Sequence, residues 1–280
     1  ESPEVLRVCA HADARAFLAR AESWLRKAEI PNAMALQSAR QASANDAGYE
    51  RPTYWATVED ENEIVGCAFR TPPYLVGITA LPNAAIGPLV ANLEGVYTSL
   101  PGVAGAEPAA SAFASAWTSA RGGGWRVLSR QRLYLHRALV PEDAAHRGVL
   151  RLAGAADLER AQTWGAAFAR ESRLPLDGPF CAGLIRSGQL YFWDNGKPCC
   201  MVGVLRETPD SAAVGVIYTP PQLRERGYAA ASIAALSRLW LDRGIKNSYV
   251  CADPANLAAD AICLRLGYEA IQDSADIHFT

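Results

Sequence analysis

The chain alternates short apolar, β-branched runs with longer stretches of helical period, and this pattern occurs twice. Val5-Leu6-Arg7-Val8 leads into a helix whose start is marked by Asp13. Val149-Leu150-Arg151-Leu152 leads into one marked by Asp157, and both steps are 144 residues (149 − 5 and 157 − 13). Val65-Gly66 recurs as Val202-Gly203 (202 − 65 = 137), and Arg70-Thr71-Pro72 is echoed by Arg206-Glu207-Thr208-Pro209. Val76-Gly77-Ile78 returns as Val214-Gly215-Val216 (214 − 76 = 138). Four matches in one order point to a duplication. The apolar pattern breaks at Pro141–Arg147, which places the boundary there and gives two modules, 1–140 and 141–280. Gly102–Pro108 and Arg121–Gly124 read as loops inside the first.

The second half is the more informative. A helix runs from Asp157 to Glu171, with Leu158, Ala161, Trp164, Ala167 and Phe168 on one face. Cys181–Ser187, Gln189–Trp193 and Cys199–Leu205 read as strands, the last two joined by an Asn195-Gly196 hairpin turn. Ala213–Tyr218 is a further apolar strand, ended by Thr219-Pro220-Pro221. After a Gly-containing loop comes a helix from about Ala229 to Arg243, with Ile233, Leu236 and Trp240 as its buried stripe and Gly244 as its cap. Tyr249–Ala252 is a short strand, and Asp253-Pro254-Ala255-Asn256 opens a last helix that ends before Gly267-Tyr268. Strand, Gly-containing loop, helix and strand in that order outline a phosphate-binding unit, because the loop presents unpaired N–H groups at a positive helix end.

Composition narrows the function classes. Half of the 280 residues are hydrophobic and the net charge is −2, so nothing supplies the basic face that nucleic acid requires. No apolar run approaches the ~18 residues of a membrane span, and the amino end does not read as a signal peptide. The seven cysteines contain no Cys-x-x-Cys, and the four histidines have no ligand spacing, so neither a disulfide framework nor a metal site is expected. A reducing, cytoplasmic setting fits that usage.

Arg224-x-x-Gly227-x-Ala229, preceded by Val216-Ile217-Tyr218-Thr219-Pro220-Pro221 and followed by Asp253-x-x-Asn256 and Leu266-Gly267-Tyr268, resembles the acetyl-CoA loop of GNAT-type N-acetyltransferases. Val65-Gly66-Cys67-Ala68-Phe69-Arg70-Thr71-Pro72-Pro73 resembles the first module of a tandem branch, in which a degenerate module precedes an active one. The resemblance implies an α/β (α+β) fold of two GNAT-like modules, each a mixed, splayed β-sheet flanked by helices. It also implies acetyl transfer from acetyl-CoA, as co-substrate, to a primary amine of a small molecule. Relatives in that branch include self-resistance enzymes acting on amine antibiotics. A non-catalytic acyl-CoA-binding protein is the alternative, and oligomeric state is left open.

Specific roles follow from the resemblance. Backbone groups of Val216, Ile217 and Tyr218 would pair with the pantetheine, one N–H steadying the thioester oxygen. Arg224, Glu225, Arg226, Gly227, Tyr228 and Ala229 would hold the pyrophosphate, with Arg226 or Arg265 meeting phosphates. Gly227 is read as needed for close approach to the pyrophosphate, with a plain strand-to-helix turn as the lesser alternative, and Asn256 either bonds the pantetheine or caps its helix. Cys263 stands where the family carries the tyrosine that protonates the leaving thiolate, so it is either that acid or packing, with Tyr268 or solvent as the donor. Glu207, Glu171 and His278 are candidate bases by type. Tyr191, Phe192 and Trp193 either line an acceptor pocket or form one core strand. After Val76-Gly77-Ile78 the first half has no Arg-x-x-Gly-x-Ala loop, which makes it a structural, acceptor-shaping module.

Overall fold

The computed structural model describes residues 6–45, 49–50, 52–136, 148–172, 179–207 and 211–280, the side chains of 206, 207 and 258 excepted. The expected boundary, Pro141–Arg147, lies outside the described residues. The elements run β1 (Arg7–Ala10), α1 (Ala14–Lys27), α2 (Ala33–Ala44), β2 (Tyr54–Asp60), β3 (Glu63–Arg70), β4 (Val76–Ile78), α3 (Ile86–Glu94), β5 (Gly102–Ala106), α4 (Ala109–Arg121) and β6 (Trp125–His136). The same order follows in β7 (Val149–Leu152), α5 (Leu158–Ser172), α6 (Pro179–Arg186), β8 (Leu190–Asp194), β9 (Pro198–Glu207), β10 (Ser211–Tyr218), α7 (Tyr228–Asp242), β11 (Asn247–Ala252), α8 (Leu257–Arg265) and β12 (Glu269–Phe279).

Contacts divide the chain into two compact units, residues 1–132 with 271–280, and residues 133–270. The first unit carries strands in the order β1-β2-β3-β4-β5-β12, antiparallel except for β4 beside β5. Its apolar faces are covered on one side by Phe17, Leu25 and Leu36 of α1 and α2. Leu89, Leu93, Phe113 and Trp117 of α3 and α4 cover the other, packed with Val76, Val103 and Ile277. In the second unit the order is β7-β8-β9-β10-β11, antiparallel except for β10 beside β11. Cys200, Val202 and Val204 of β9 pack with Ile233, Leu236 and Trp240 of α7, while Met201 faces Ala161 and Leu184 of α5 and α6. That is the two-residue alternation of a sheet covered on both faces.

Local chemistry accounts for the element ends. Asp13 caps α1, its carboxylate accepting from the Ala16 N–H at 2.8 Å. Gly244, at φ 83°, closes α7, with the Ile245 N–H bonded to the Trp240 carbonyl. Asp157 departs from its expected cap role. It ends a 3-10 turn, Ala155–Asp157, and its carboxylate accepts the Gly154 N–H at 2.9 Å. The same carboxylate takes a two-pronged bond from Arg151 at 2.8 and 2.9 Å, which holds its pKa down at about 2. Leu158, expected on the buried face, is exposed, while Ala161 is buried.

Two expected elements are different in kind. Cys181–Ser187, expected as a strand, lies in α6: Cys181, Leu184 and Ile185 share a helical face, and Pro179 occupies the first helical position. Gly102–Pro108, expected as a loop, contains β5, every residue of which is buried. Its glycines mark close backbone approach within a strand. A Cβ on Gly102 would lie 2.0 Å from the Ile277 carbonyl oxygen, and one on Gly105 would lie 2.2 Å from that of Ile78.

Strand β12, at the far end of the sequence, thus belongs to the core of the first unit, where Ile277 is fully buried. Ile277→Ala is expected to destabilise that unit by about 2–4 kcal/mol. Hydrogen exchange resolved by peptide checks it: protection should fall in β5 and α4, with β9 and β10 unchanged.

Candidate active site

The site is built on a break in β10. Its pairing with β9 runs Ala213 opposite Arg206, Val214 opposite Val204 and Val216 opposite Gly203, so the register shifts twice within four residues. Leu205 and Gly215 are the extra residues on the two strands. A Cβ on Gly215 would lie 2.0 Å from Leu205 Cγ, so the glycine lets the Leu205 side chain lie across it. An added residue reverses the alternation of side chains. Ala212 and Val214 pack with α7, whereas Val216 and Tyr218 pack with α5 and α6.

At the same point β10 loses its second neighbour. Its parallel pairing with β11 ends at Val214 opposite Val250, although β10 continues to Tyr218 and β11 to Ala252. On the other side β10 stays paired with β9 as far as Tyr218 opposite Met201. Val216–Tyr218 is therefore held along one edge, and alternate backbone groups face the open one. Among the described residues the first unit shows no such opening. There β4 ends at Ile78, and all three of its residues pair with β5.

The chain leaving β10 turns through Thr219, Pro220 and a 3-10 turn, Pro221–Leu223, into the loop that precedes α7. Glu225 and Gly227 both have left-handed backbone, φ 61° and 77°. Gly227 is the N-cap of α7, and no side chain caps that helix. The N–H groups of Tyr228, Ala229 and Ala230 have no partner inside the helix, and the dipole adds positive potential there. Glycine accepts the left-handed turn without the cost another residue incurs. An open strand edge and an uncapped helix start, one loop apart, suit an extended amide-bearing chain ending in phosphates.

The named side chains divide sharply. Arg224 does not point freely into the loop: its Nη2 donates to Glu171 Oε2 at 2.6 Å and its Nε to the Thr219 carbonyl at 2.9 Å. The guanidinium carbon also lies 5.8 Å from the Tyr218 ring centre. Arg226 and Arg265 are exposed, and Tyr228 and Ala229 are half-buried against the α7 core. Asn256 caps α8, its side-chain oxygen accepting from the Ala259 N–H at 3.1 Å, which leaves its amide NH₂ as the group able to reach a ligand. Tyr191, Phe192 and Trp193 are buried core residues, Phe192 on the α5/α6 face and the other two on the α7 face.

Cys263 is not an ordinary exposed thiol. It is buried in the α7-side core, and burial, with the Asp260 charge adding to it, pushes the thiol up to about 12. Asp260 itself accepts from the Tyr134 phenol at 2.5 Å. The Tyr268 hydroxyl is enclosed between Ser237 and Ser248, at 2.9 and 2.7 Å, and burial raises its pKa. Glu171 is engaged by Arg224, and His278 lies on β12 of the first unit. The Glu207 backbone pairs with Ala212, and its side chain lies outside the described residues.

Sequence reasoning missed the Glu171–Arg224 pair and the Tyr134–Asp260 bond, whose partners stand 53 and 126 residues apart with no local signal. It also missed the packing of Trp164 on Phe192 and Tyr218, at ring distances of 5.5 and 5.9 Å. Among the described residues no group of three or more His, Cys, Asp or Glu side chains could hold a metal, and no helix is long and apolar enough to cross a membrane.

No family model matches the chain, and no curated protein matches it. Solved structures do. A GCN5-related N-acetyltransferase from Sphaerobacter thermophilus aligns over 99% of this chain and 96% of its own, with 16% identity and a TM-score of 0.59. An acetyltransferase of the GNAT family from Colwellia psychrerythraea aligns over 98% of this chain and 100% of its own, with 14% identity and a TM-score of 0.54. A Drosophila protein aligns over 99% of both chains, with 13% identity and a TM-score of 0.62. Over nearly its whole length, the chain has the fold of the GNAT-type acetyltransferases.

Proposed function

We propose that the chain is an N-acetyltransferase that moves an acetyl group from acetyl-CoA to a primary amine of a small molecule. The observation that carries this reading is the open edge of Val216–Tyr218, one loop away from the uncapped, left-handed start of α7. The strand edge offers the pantetheine amides a ladder, and the helix start offers the pyrophosphate unpaired N–H groups. An N–H among Val216, Ile217 and Tyr218 steadies the thioester oxygen as charge develops on it. Asn256 adds an amide donor to the pantetheine, and Arg226 and Arg265 add positive charge near the phosphates.

The amine attacks the thioester carbonyl carbon, the C–S bond breaks, and the products are an amide and the CoA thiol. An alkyl ammonium must first lose its proton, at about 4–5 kcal/mol at neutral pH. Glu207, on the strand beside β10, is the proposed base, since Glu171 is already ion-paired. The departing thiolate takes a proton from solvent. Donation from Cys263, held at about 12, to a thiolate whose acid has a pKa near 8.5 is uphill by roughly 5 kcal/mol. Cys263 is assigned to packing behind the site.

The repeated element order supports an origin by duplication, with the first unit a degenerate copy that lacks the open edge. The resemblance of the arrangement to a tandem branch that includes amine-antibiotic self-resistance enzymes makes an antibiotic the acceptor to try first. Seven free cysteines suit the reducing cytoplasm.

Two outcomes are expected. Gly227→Glu should abolish acetyl-CoA binding by placing a carboxylate and its bulk at the helix start, while Gly227→Ala should show only the left-handed strain, about 1 kcal/mol. Calorimetry on the folded variants checks this, and an unchanged affinity in Gly227→Glu puts the pyrophosphate elsewhere. Cys263→Ala should keep kcat within a few-fold and leave acetyl-CoA affinity alone. Steady-state kinetics with an amine panel tests it, and a loss on the order of 10²-fold in kcat alone returns the acid role to the thiol.

A further inference from the structure

The Arg224 side chain stands three residues before Gly227 yet is occupied on the α5 side of its loop. Two donors are taken, one by Glu171 Oε2 at 2.6 Å and one by the Thr219 carbonyl at 2.9 Å, and the Tyr218 ring lies under the guanidinium. Glu171 is the second-last residue of α5, the helix whose Trp164 ring packs 5.9 Å from that of Tyr218. The ion pair therefore ties the loop before α7 to the helix lying over the Val216 and Tyr218 side chains.

The tie is easily exchanged. The two side chains are 43% and 48% exposed, and a solvated pair of this kind contributes about 1 kcal/mol or less. A planar guanidinium fork bonds phosphate oxygens as readily as a carboxylate, and a pyrophosphate brings two negative charges where Glu171 brings one. Arginine is long enough to swing between such partners without moving the backbone.

We propose that Glu171 is a positioning residue that withholds Arg224 from the donor's phosphates, so that the acidic end of α5 lowers donor affinity and is released when the donor binds. The inference rests on the reading of the Gly227 loop as the pyrophosphate site. It assigns Glu171 a role through Arg224, not on the reacting atoms. Donor binding and the position of α5 are then linked, each opposing or favouring the other by the same factor.

The test measures binding of acetyl-CoA and of S-acetylpantetheine, which has no phosphate, to the full chain by calorimetry. Glu171→Gln should bind acetyl-CoA about fivefold tighter than the wild type, the gain expected from removing one exposed competitor. Its affinity for S-acetylpantetheine should not change. Arg224→Gln should weaken acetyl-CoA binding little in the wild type but erase the gain in the Glu171→Gln background. Both residues are exposed, so the variants should melt with the wild type. An unchanged acetyl-CoA affinity in Glu171→Gln overturns the proposal, as does an equal gain for both donors. A fall in kcat with unchanged affinity overturns it in favour of Glu171 as the base. Failure of the wild type itself to bind acetyl-CoA overturns the underlying reading, and is seen before any substitution is made.

Discussion

Backbone hydrogen-bonding groups must be paired, and the three residues Val216–Tyr218 are paired along only one edge. The second unit is organised around that constraint. The double shift of register between Ala213 and Val216 turns the strand so that it leaves β11 while remaining bonded to β9. Without the shift, Val216 and Tyr218 would face α7, and the α5/α6 face would lose two of its buried side chains. With it, one face of the strand still completes a core and its free edge still asks for a partner. A ligand that offers amide groups in an extended chain answers that demand, as a neighbouring strand would.

The first unit resolves the same constraint inside the protein. Its parallel pair is closed to the last residue of β4, and Gly105 allows the two backbones to lie against each other where a side chain would hold them apart. The following helix, α3, begins on Ile86, a buried residue, without any left-handed glycine before it. Closing the pair satisfies the backbone groups and removes the demand for a ligand. Two sheets with the same order of elements thus differ in whether a strand edge is left open, through the length of one strand and the conformation of one loop.

How much of this was legible in the sequence follows from the range of each interaction. Elements with a local signature were readable: the Asp13 cap, the Asn195-Gly196 turn, the Ile233, Leu236 and Trp240 stripe, and Gly244. Gly227 was legible as the turn before α7, because the left-handed conformation leaves a residue type behind. Cys181–Ser187 was misjudged because its five-residue apolar run, Cys181–Ile185, fits a buried strand as well as a short helix. Gly102 and Gly105 were misjudged because a glycine chosen for close backbone contact looks the same as one chosen for a turn. The Cys263 environment and the Arg224–Glu171 pair were not legible at all. Both depend on groups brought together only by the folded chain.

The connectivity constrains how far a division by sequence can be carried. Ala275 and Ile277 of β12 are buried in the core of the first unit, and Tyr134 of β6 is fully buried in that of the second. The Tyr134 phenol further satisfies Asp260 on α8, one turn before Cys263. A buried phenol without that acceptor, or a carboxylate there without that donor, incurs a desolvation penalty of about 1–3 kcal/mol. The first unit therefore needs a strand contributed from the far end of the chain, whereas the second is one continuous stretch, 133–270. A cut at residue 140 would remove Ala275 and Ile277 from the core of the first unit.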